Sequence, residues 1–342
     1  MAFHNDTLGW TSQASGSSYP QIVRTDDGGA TFKKVNTSAS FSIVTAIAAS
    51  KSNIDVQVFG VPFTSEYSND GNNFHPSSGI PIAGQDVKSC TDGRMIMAGP
   101  SGVCVSKNMG KDYTCHRVPL KNEATGRYAS SPSENILYYT AGNWPRTNIN
   151  PQQLTSKLKL LNSDDPSTND PALTLSPTAQ NLTIYTAELW KSIDSGKSWT
   201  NLISEEGTYY FNDIDCIDDT HCIAIAEGFA NDGSLEGGAR VYVTTDGTNF
   251  ELSHLVNKTG YESFMTCQML SVDEFWIGGT EQLRSPTAQM FMLHSNDGGK
   301  SYVNENNNLT GYSVTDIDFI SNKHGYATVL DSTQICSLLE YK

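Results

Sequence analysis

Three stretches of this 342-residue chain carry side chains that could do chemistry together. Glu227–Arg240 (EGFANDGSLEGGAR) holds Glu227, Asp232, Glu236 and Arg240, Gly278–Ala288 (GGTEQLRSPTA) holds Glu281 and Arg284, and a proline-rich run after Gly142 opens with Trp144 and Arg146. Tyr19 lies in a fourth stretch, Thr11–Gln21. Carboxylates beside an aromatic ring suit sugars, because a ring face stacks on an indole while hydroxyls hydrogen-bond to the acids. Glycoside hydrolysis needs two carboxyl groups about 5–5.5 Å apart for retention or about 6.5–9.5 Å for inversion, one with a raised pKa. Glu227, Asp232, Glu236 and Glu281 are therefore the candidate catalytic acids. Tyr19, Trp144, Arg146, Arg240 and Arg284 are the candidate ligand-binding groups.

Composition removes several other classes. Lys and Arg number 22 against 37 Asp and Glu, a net charge of −15, and no basic arm is present to neutralise phosphates, so no nucleic-acid partner is expected. No apolar run reaches the roughly 18 residues of a membrane span. The seven histidines (4, 75, 116, 221, 254, 294 and 324) show no zinc spacing, and no nucleophile elbow, Walker loop or dinucleotide fingerprint occurs. The expected metal and cofactor complement is none, and a monomer is expected.

The elements that position these residues come from a repeat. One motif recurs six times: Thr25-x-Asp27-x-Gly29-x-Thr31-Phe32, Ser68-x-Asp70-Gly71-x-x-Phe74, Ser106-x-Asn108-x-Gly110-x-x-Tyr113, Ser192-x-Asp194-x-Gly196-x-Ser198-Trp199, Thr244-x-Asp246-Gly247-x-x-Phe250 and Ser295-x-Asp297-x-Gly299-x-Ser301-Tyr302. Strand-like residues such as Val103-Cys104-Val105 and Val241-Tyr242-Val243 precede it and more follow, so each copy reads as a hairpin turn. The Asp accepts turn amides, Gly supplies positive φ, and the aromatic returns to the sheet. Copies two and five are a residue shorter and copy three has Asn108, so these turns are expected to be looser. A second repeat pairs Phe3 with Gly9-Trp10, Cys216 with Cys222-Ile223 and Phe319 with Gly325-Tyr326, a first-to-second strand turn.

These copies resemble Asp-boxes, the bacterial-neuraminidase repeats of sialidase-like, sortilin-type and photosystem II assembly-factor propellers. The resemblance implies an all-β propeller over residues 1–342 as a single domain, with the box as a structural turn between third and fourth strands. The carboxylates of Asp27, Asp194 and Asp297 are accordingly not catalytic candidates. Six boxes plus a strand set at Val314–Ile320, Gly325–Leu330 and Gln334–Tyr341 predict seven four-stranded blades, with six and an appended hairpin as the alternative. Sialidase activity is not implied, since Tyr19-Pro20-Gln21-Ile22-Val23-Arg24 does not match the Arg-Ile-Pro element. Xyloglucan-cleaving relatives use two propellers, and this chain is long enough for one.

Box anchors 108 and 194 stand 86 residues apart where the other intervals are 38 to 52. The excess places an insertion at residues 142–183, between the second and third strands of blade four. Asn150-Pro151 with Leu154, Leu158 and Leu161 predicts a short amphipathic helix there. Antiparallel blades put the boxes on one face and all second-to-third loops on the other, so the candidate residues gather around the mouth opposite the boxes. Seven cysteines leave at least one unpaired; Cys216 with Cys222 and Cys104 with Cys115 are the candidate disulfides, each facing across a turn. Sequons at Asn5, Asn36, Asn181, Asn257 and Asn308 fit secretion. Two functions follow: a secreted propeller binding a glycan or polypeptide on the long-loop face, or a glycan-cleaving or other small-substrate enzyme using the loop carboxylates of that face.

Overall fold

The computed structural model describes all residues except 14–18, 62–63, 81–83, 101, 122–124, 144–184, 231–233, 284, 307–308 and 334. Seven antiparallel sheets follow one another along the chain, six of four strands and the last of three, each in sequential order. This is a seven-bladed β-propeller. The first strands are Ala2–Phe3, Ile43–Ala49, Asp86–Ser89, Thr125–Ser130, Tyr210–Cys216, Ser263–Met269 and Tyr312–Ser321, and they line the axis.

Burial explains why the second strands are apolar on both sides. Val56–Val61, Met95–Gly99, Leu137–Asn143 and Cys222–Gly228 are buried almost throughout, because a mid-blade strand is covered by a neighbouring sheet on each face. The core is thus a set of layers between successive blades rather than one centre. Trp10, Ile22 and Phe74 fill the first layer, Tyr139 and Trp190 the third, and Trp276, Phe319 and Val329 the sixth. The ring closes between blades seven and one, where Phe3 stacks on Tyr326 with centroids 3.6 Å apart and the Tyr326 hydroxyl donates to Asp6 O at 2.6 Å.

All six motif copies form third-to-fourth turns. In the long form, Asp194 Oδ1 accepts from Ser198 N at 2.8 Å and Oδ2 from the Ser198 hydroxyl at 2.6 Å, while Ser192 Oγ accepts from Gly196 N at 2.8 Å. The short turns are not looser, contrary to the expectation from their length. Asp70 Oδ1 accepts from Asn72 N and Asn73 N, both at 2.8 Å, and Asn73 Nδ2 takes the place of the missing hydroxyl on Oδ2 at 2.7 Å. Asp246 and Asn249 repeat this. Copy three exchanges roles: Asn108 Oδ1 accepts from Asp112 N at 2.9 Å and its Nδ2 donates to Asp112 Oδ2 at 2.9 Å. Hydrogen bonds from the Thr31 side chain and backbone, then from Thr25, hold the Asp27 carboxyl down at about 2, which fits a turn organiser rather than an acid.

Both candidate disulfides are formed. Cys104–Cys115 joins the third and fourth strands of blade three, and Cys216–Cys222 the first and second strands of blade five. The cysteines left free are Cys90, Cys267 and Cys336. The second and third strands of blade four, Leu137–Asn143 and Thr186–Ser192, flank the insertion, and the short helix expected within it lies outside the described residues.

Candidate functional site

Five of the nine side chains named from the sequence lie among the described residues, and of these Glu236 and Arg240 are brought together. Tyr19 is exposed at the approach to the third strand of blade one. Glu227 is buried and accepts the Tyr210 hydroxyl on Oε1. Arg240 is also buried, donating to Glu236 O at 2.6 Å and Gly238 O at 3.0 Å with its guanidinium 5.2 Å over the Tyr209 ring; the Glu236 carboxylate lies 3.4 Å away. Glu227 faces Ala239 across the ladder and Arg240 faces Ala226, so consecutive pleat positions set the two on opposite faces of blade five. Glu281, in blade six, accepts from Gln289 N on Oε2 at 3.2 Å. Trp144, Arg146, Asp232 and Arg284 lie outside the described residues.

The first strands assemble something else: an axial cavity of about 710 Å³. Its lining follows the inner strands and extends into first-to-second turns at Lys51, Ser52, Thr91, Pro132 and Leu270, on the same side as the repeat turns. Of the candidate loop residues that are described, Tyr19, Glu227, Glu236, Arg240 and Glu281, none contributes to it. Its ionisable groups are five aspartates, 86, 213, 215, 316 and 318, with Lys51 and Lys88, the thiols of Cys90 and Cys267, the phenol of Tyr128 and the Met1 amino group, which holds Asp316 at 2.7 Å.

Most of these groups knit the ring together. Ser130 Oγ accepts from Cys216 N at 3.1 Å, Asp215 Oδ2 from Met269 N at 2.9 Å, Gln268 Oε1 from Phe319 N at 2.6 Å, and Asp318 Oδ2 from Phe3 N at 2.5 Å. Equivalent positions in blades four to seven thus each satisfy a backbone amide of the next inner strand, an amide that no ladder partner reaches. Lys88 crosses from blade three to blade five, donating to Asp213 Oδ1 at 2.7 Å and Ile214 O at 2.6 Å. Burial lowers its pKa, but Asp213, Asp86 and Asp215 outweigh that and keep it charged. Lys51 at the mouth holds Asp318 at 2.5 Å.

Asp86 has a different role. Burial pushes its carboxyl up, Lys88 pulls it back, and Asp213 and Asp316 push again, leaving it at about 7. It faces the cavity as a group that changes charge near neutrality. A sequence signal for this set exists in the paired hexads Asn212-Asp-Ile-Asp-Cys-Ile217 and Thr315-Asp-Ile-Asp-Phe-Ile320, each at the end of a first strand. Reading the loops alone missed it. Among the described residues no cluster of three or more His, Cys, Asp or Glu could hold a metal ion.

The fold and its axial cavity place the chain among β-propellers. No family model matches the sequence, and no curated protein matches it. Solved structures do. A YCF48 bound to D1 peptide is 14% identical with a TM-score of 0.58, covering 99% of this chain and 90% of its own. YCF48 from Cyanidioschyzon merolae is 16% identical with a TM-score of 0.51, covering 98% and 91%. The GH74 xyloglucanase from Xanthomonas campestris is 9% identical at a TM-score of 0.58; 96% of this chain covers only 50% of that enzyme. At these identities the likeness is one of fold.

Proposed function

We propose that this chain is a secreted recognition propeller that seats a polypeptide segment in its axial cavity. The observation that carries the reading is the cavity itself: about 710 Å³ lined by rigid inner strands, with Asp86 held at a charge-switching pKa and facing the space. The described loop carboxylates point the same way, since Glu227, Glu236 and Glu281 are all engaged by their own chain. Two disulfides fit an oxidising compartment, and the sequon asparagines Asn5, Asn36 and Asn257 are exposed. The peptide-bound YCF48 supports a polypeptide as ligand.

The second reading, glycan binding or cleavage on the long-loop face, draws on the xyloglucanase likeness and on Glu227, a carboxyl buried against a phenol as a general acid would be. There Glu227, Asp232, Glu236 and Glu281 would act on the substrate and Tyr19, Trp144, Arg146, Arg240 and Arg284 would hold it. Peptide and glycan arrays, followed by an assay for new reducing ends, separate the two. Peptide capture weakened by Asp86→Asn and untouched by Glu281→Gln supports the axial reading. Release of reducing ends that Glu227→Gln abolishes would replace it.

A further inference from the structure

One rung of the propeller forms an alternating ring around the axis. Asp86 faces Ala98 across its ladder, Asp213 faces Ile225 and Asp316 faces Thr328, in each blade the fourth rung from where the second strand starts to pair with the third. Blades two, four and six bring Ala46, Tyr128 and Thr266 to the same rung. All six line the cavity, so carboxylates from blades three, five and seven alternate with an alanine, a tyrosine and a threonine from the blades between. In blades two and four to seven the ladder shifts register immediately before this residue, and a bulge of that kind re-aims a side chain, here at the axis.

The three carboxylates are unequally supplied. Asp213 holds the Lys88 ammonium at 2.7 Å on Oδ1 and the Cys267 amide at 3.0 Å on Oδ2, and Asp316 holds the Met1 amino group at 2.7 Å. Asp86 has no ion-pair partner among the described residues; the charges acting on it are Lys88, already bonded to Asp213 and Ile214 O, and the like charges of Asp213 and Asp316. Nearer the turns, Asp215 is taken by Met269 N at 2.9 Å, and Asp318 by Phe3 N and Lys51. Burial keeps the Cys90 and Cys267 thiols neutral. Each described cation of the cavity thus has its partner, and Asp86 is left as the carboxylate whose charge nothing neutralises. Ionising such a group without a counter-ion is costly, which is why burial leaves it at about 7 despite Lys88.

We propose, resting on the axial reading above, that the polypeptide seated in this cavity inserts a lysine or arginine side chain whose cationic head pairs with Asp86. Ala46, Tyr128 and Met265, half-buried along the same wall, cover the aliphatic stem. The net charge of −15 favours encounter with a basic segment. Binding and proton release are linked. The guest stabilises ionised Asp86, so its affinity rises with pH through the titration of the free carboxyl, and a proton leaves as it binds.

The probes are capped nonapeptides of glycine and serine with lysine, arginine, norleucine or glutamate at the centre, and n-butylammonium as a free cation, each titrated calorimetrically into the whole chain. Titrations in phosphate and in HEPES, whose ionisation heats differ, count the protons released. The lysine or arginine peptide should bind about tenfold or more tighter than the norleucine peptide, and less tightly as salt is added. Its affinity should rise about tenfold from pH 6 to pH 8, with roughly half a proton released at pH 7. Asp86→Asn should abolish the pH dependence and the proton release and bring the lysine peptide to the norleucine level; the norleucine comparison itself needs no change in the protein. Equal binding of all four peptides, or preference for glutamate, would overturn the cationic guest and leave the axial reading standing. Binding of n-butylammonium as tight as that of the lysine peptide would overturn the proposal in favour of a free amine. Lysine binding indifferent to pH and to Asp86→Asn would overturn the pairing with Asp86, and no binding of any probe would remove the axial reading as well.

Discussion

Asp86→Asn tests the axial site through stability. The carboxyl sits at about 7, roughly three pH units above an aspartate of the unfolded chain near 3.9. At about 1.36 kcal/mol per pH unit, carrying the charge costs the fold ~4 kcal/mol, and water reaching the carboxyl from the cavity brings this to about 2–4 kcal/mol. The direction follows from linkage. Between about pH 4 and 7 the folded state holds a proton that the unfolded state has lost, so this group favours folding most below pH 4, and its contribution is lost as pH rises through 7. Asn carries no charge at either end. The variant should match the parent at pH 4 and be more stable by about 2–4 kcal/mol at pH 8, read from urea midpoints by tryptophan fluorescence at both pH values. Lys88 keeps Asp213 in the variant, so no orphaned cation offsets the gain. A difference equal at the two pH values, or a loss at pH 8, would refute the buried-charge argument and with it the reason for expecting Asp86 to serve a ligand at the expense of stability.

Trp199→Ala should cost about 2–3 kcal/mol in thermal or urea unfolding, less than a fully buried ring, because the indole is half-buried against Tyr139 and bonded to Gly196 O at 3.0 Å. Under non-reducing conditions, peptide mapping should recover Cys104–Cys115 and Cys216–Cys222, while native alkylation labels the exposed Cys336 ahead of the buried Cys267. The ring-closing seam should respond to pH through His324, with Nδ1 2.8 Å from Asp6 and Nε2 2.9 Å from Glu340. Burial lowers its pKa, but the two hydrogen bonds raise it further, so its contribution is present below an ordinary histidine pKa of about 6.5 and lost as pH rises through the raised value. Asp6→Asn should move the NMR titration of His324 back toward acid; an unchanged titration would mean that the contact does not form in solution.

The repeat turns were legible because everything that makes them is local. Hydroxyl, carboxylate, glycine and aromatic lie within about eight residues, and their hydrogen bonds close inside that span. The disulfides were legible for the same reason, at separations of 11 and 6 residues. Locality also misled: shortness suggested a looser turn at Asp70 and Asp246, whereas an Asn amide replaces the hydroxyl and the geometry is kept.

Tertiary structure alone decided the rest. The sequence favoured seven blades and left six with an appended hairpin as the alternative; closure of Phe3 on Tyr326, 323 positions later, removed that alternative. Asp86, Asp213 and Asp316 are more than a hundred residues apart in sequence, and only the radial arrangement of first strands brings them to one cavity. The sequence determined which residues turn and which span. Where the spans meet depends on burying each sheet face against its neighbour, a long-range condition that no window of the chain contains.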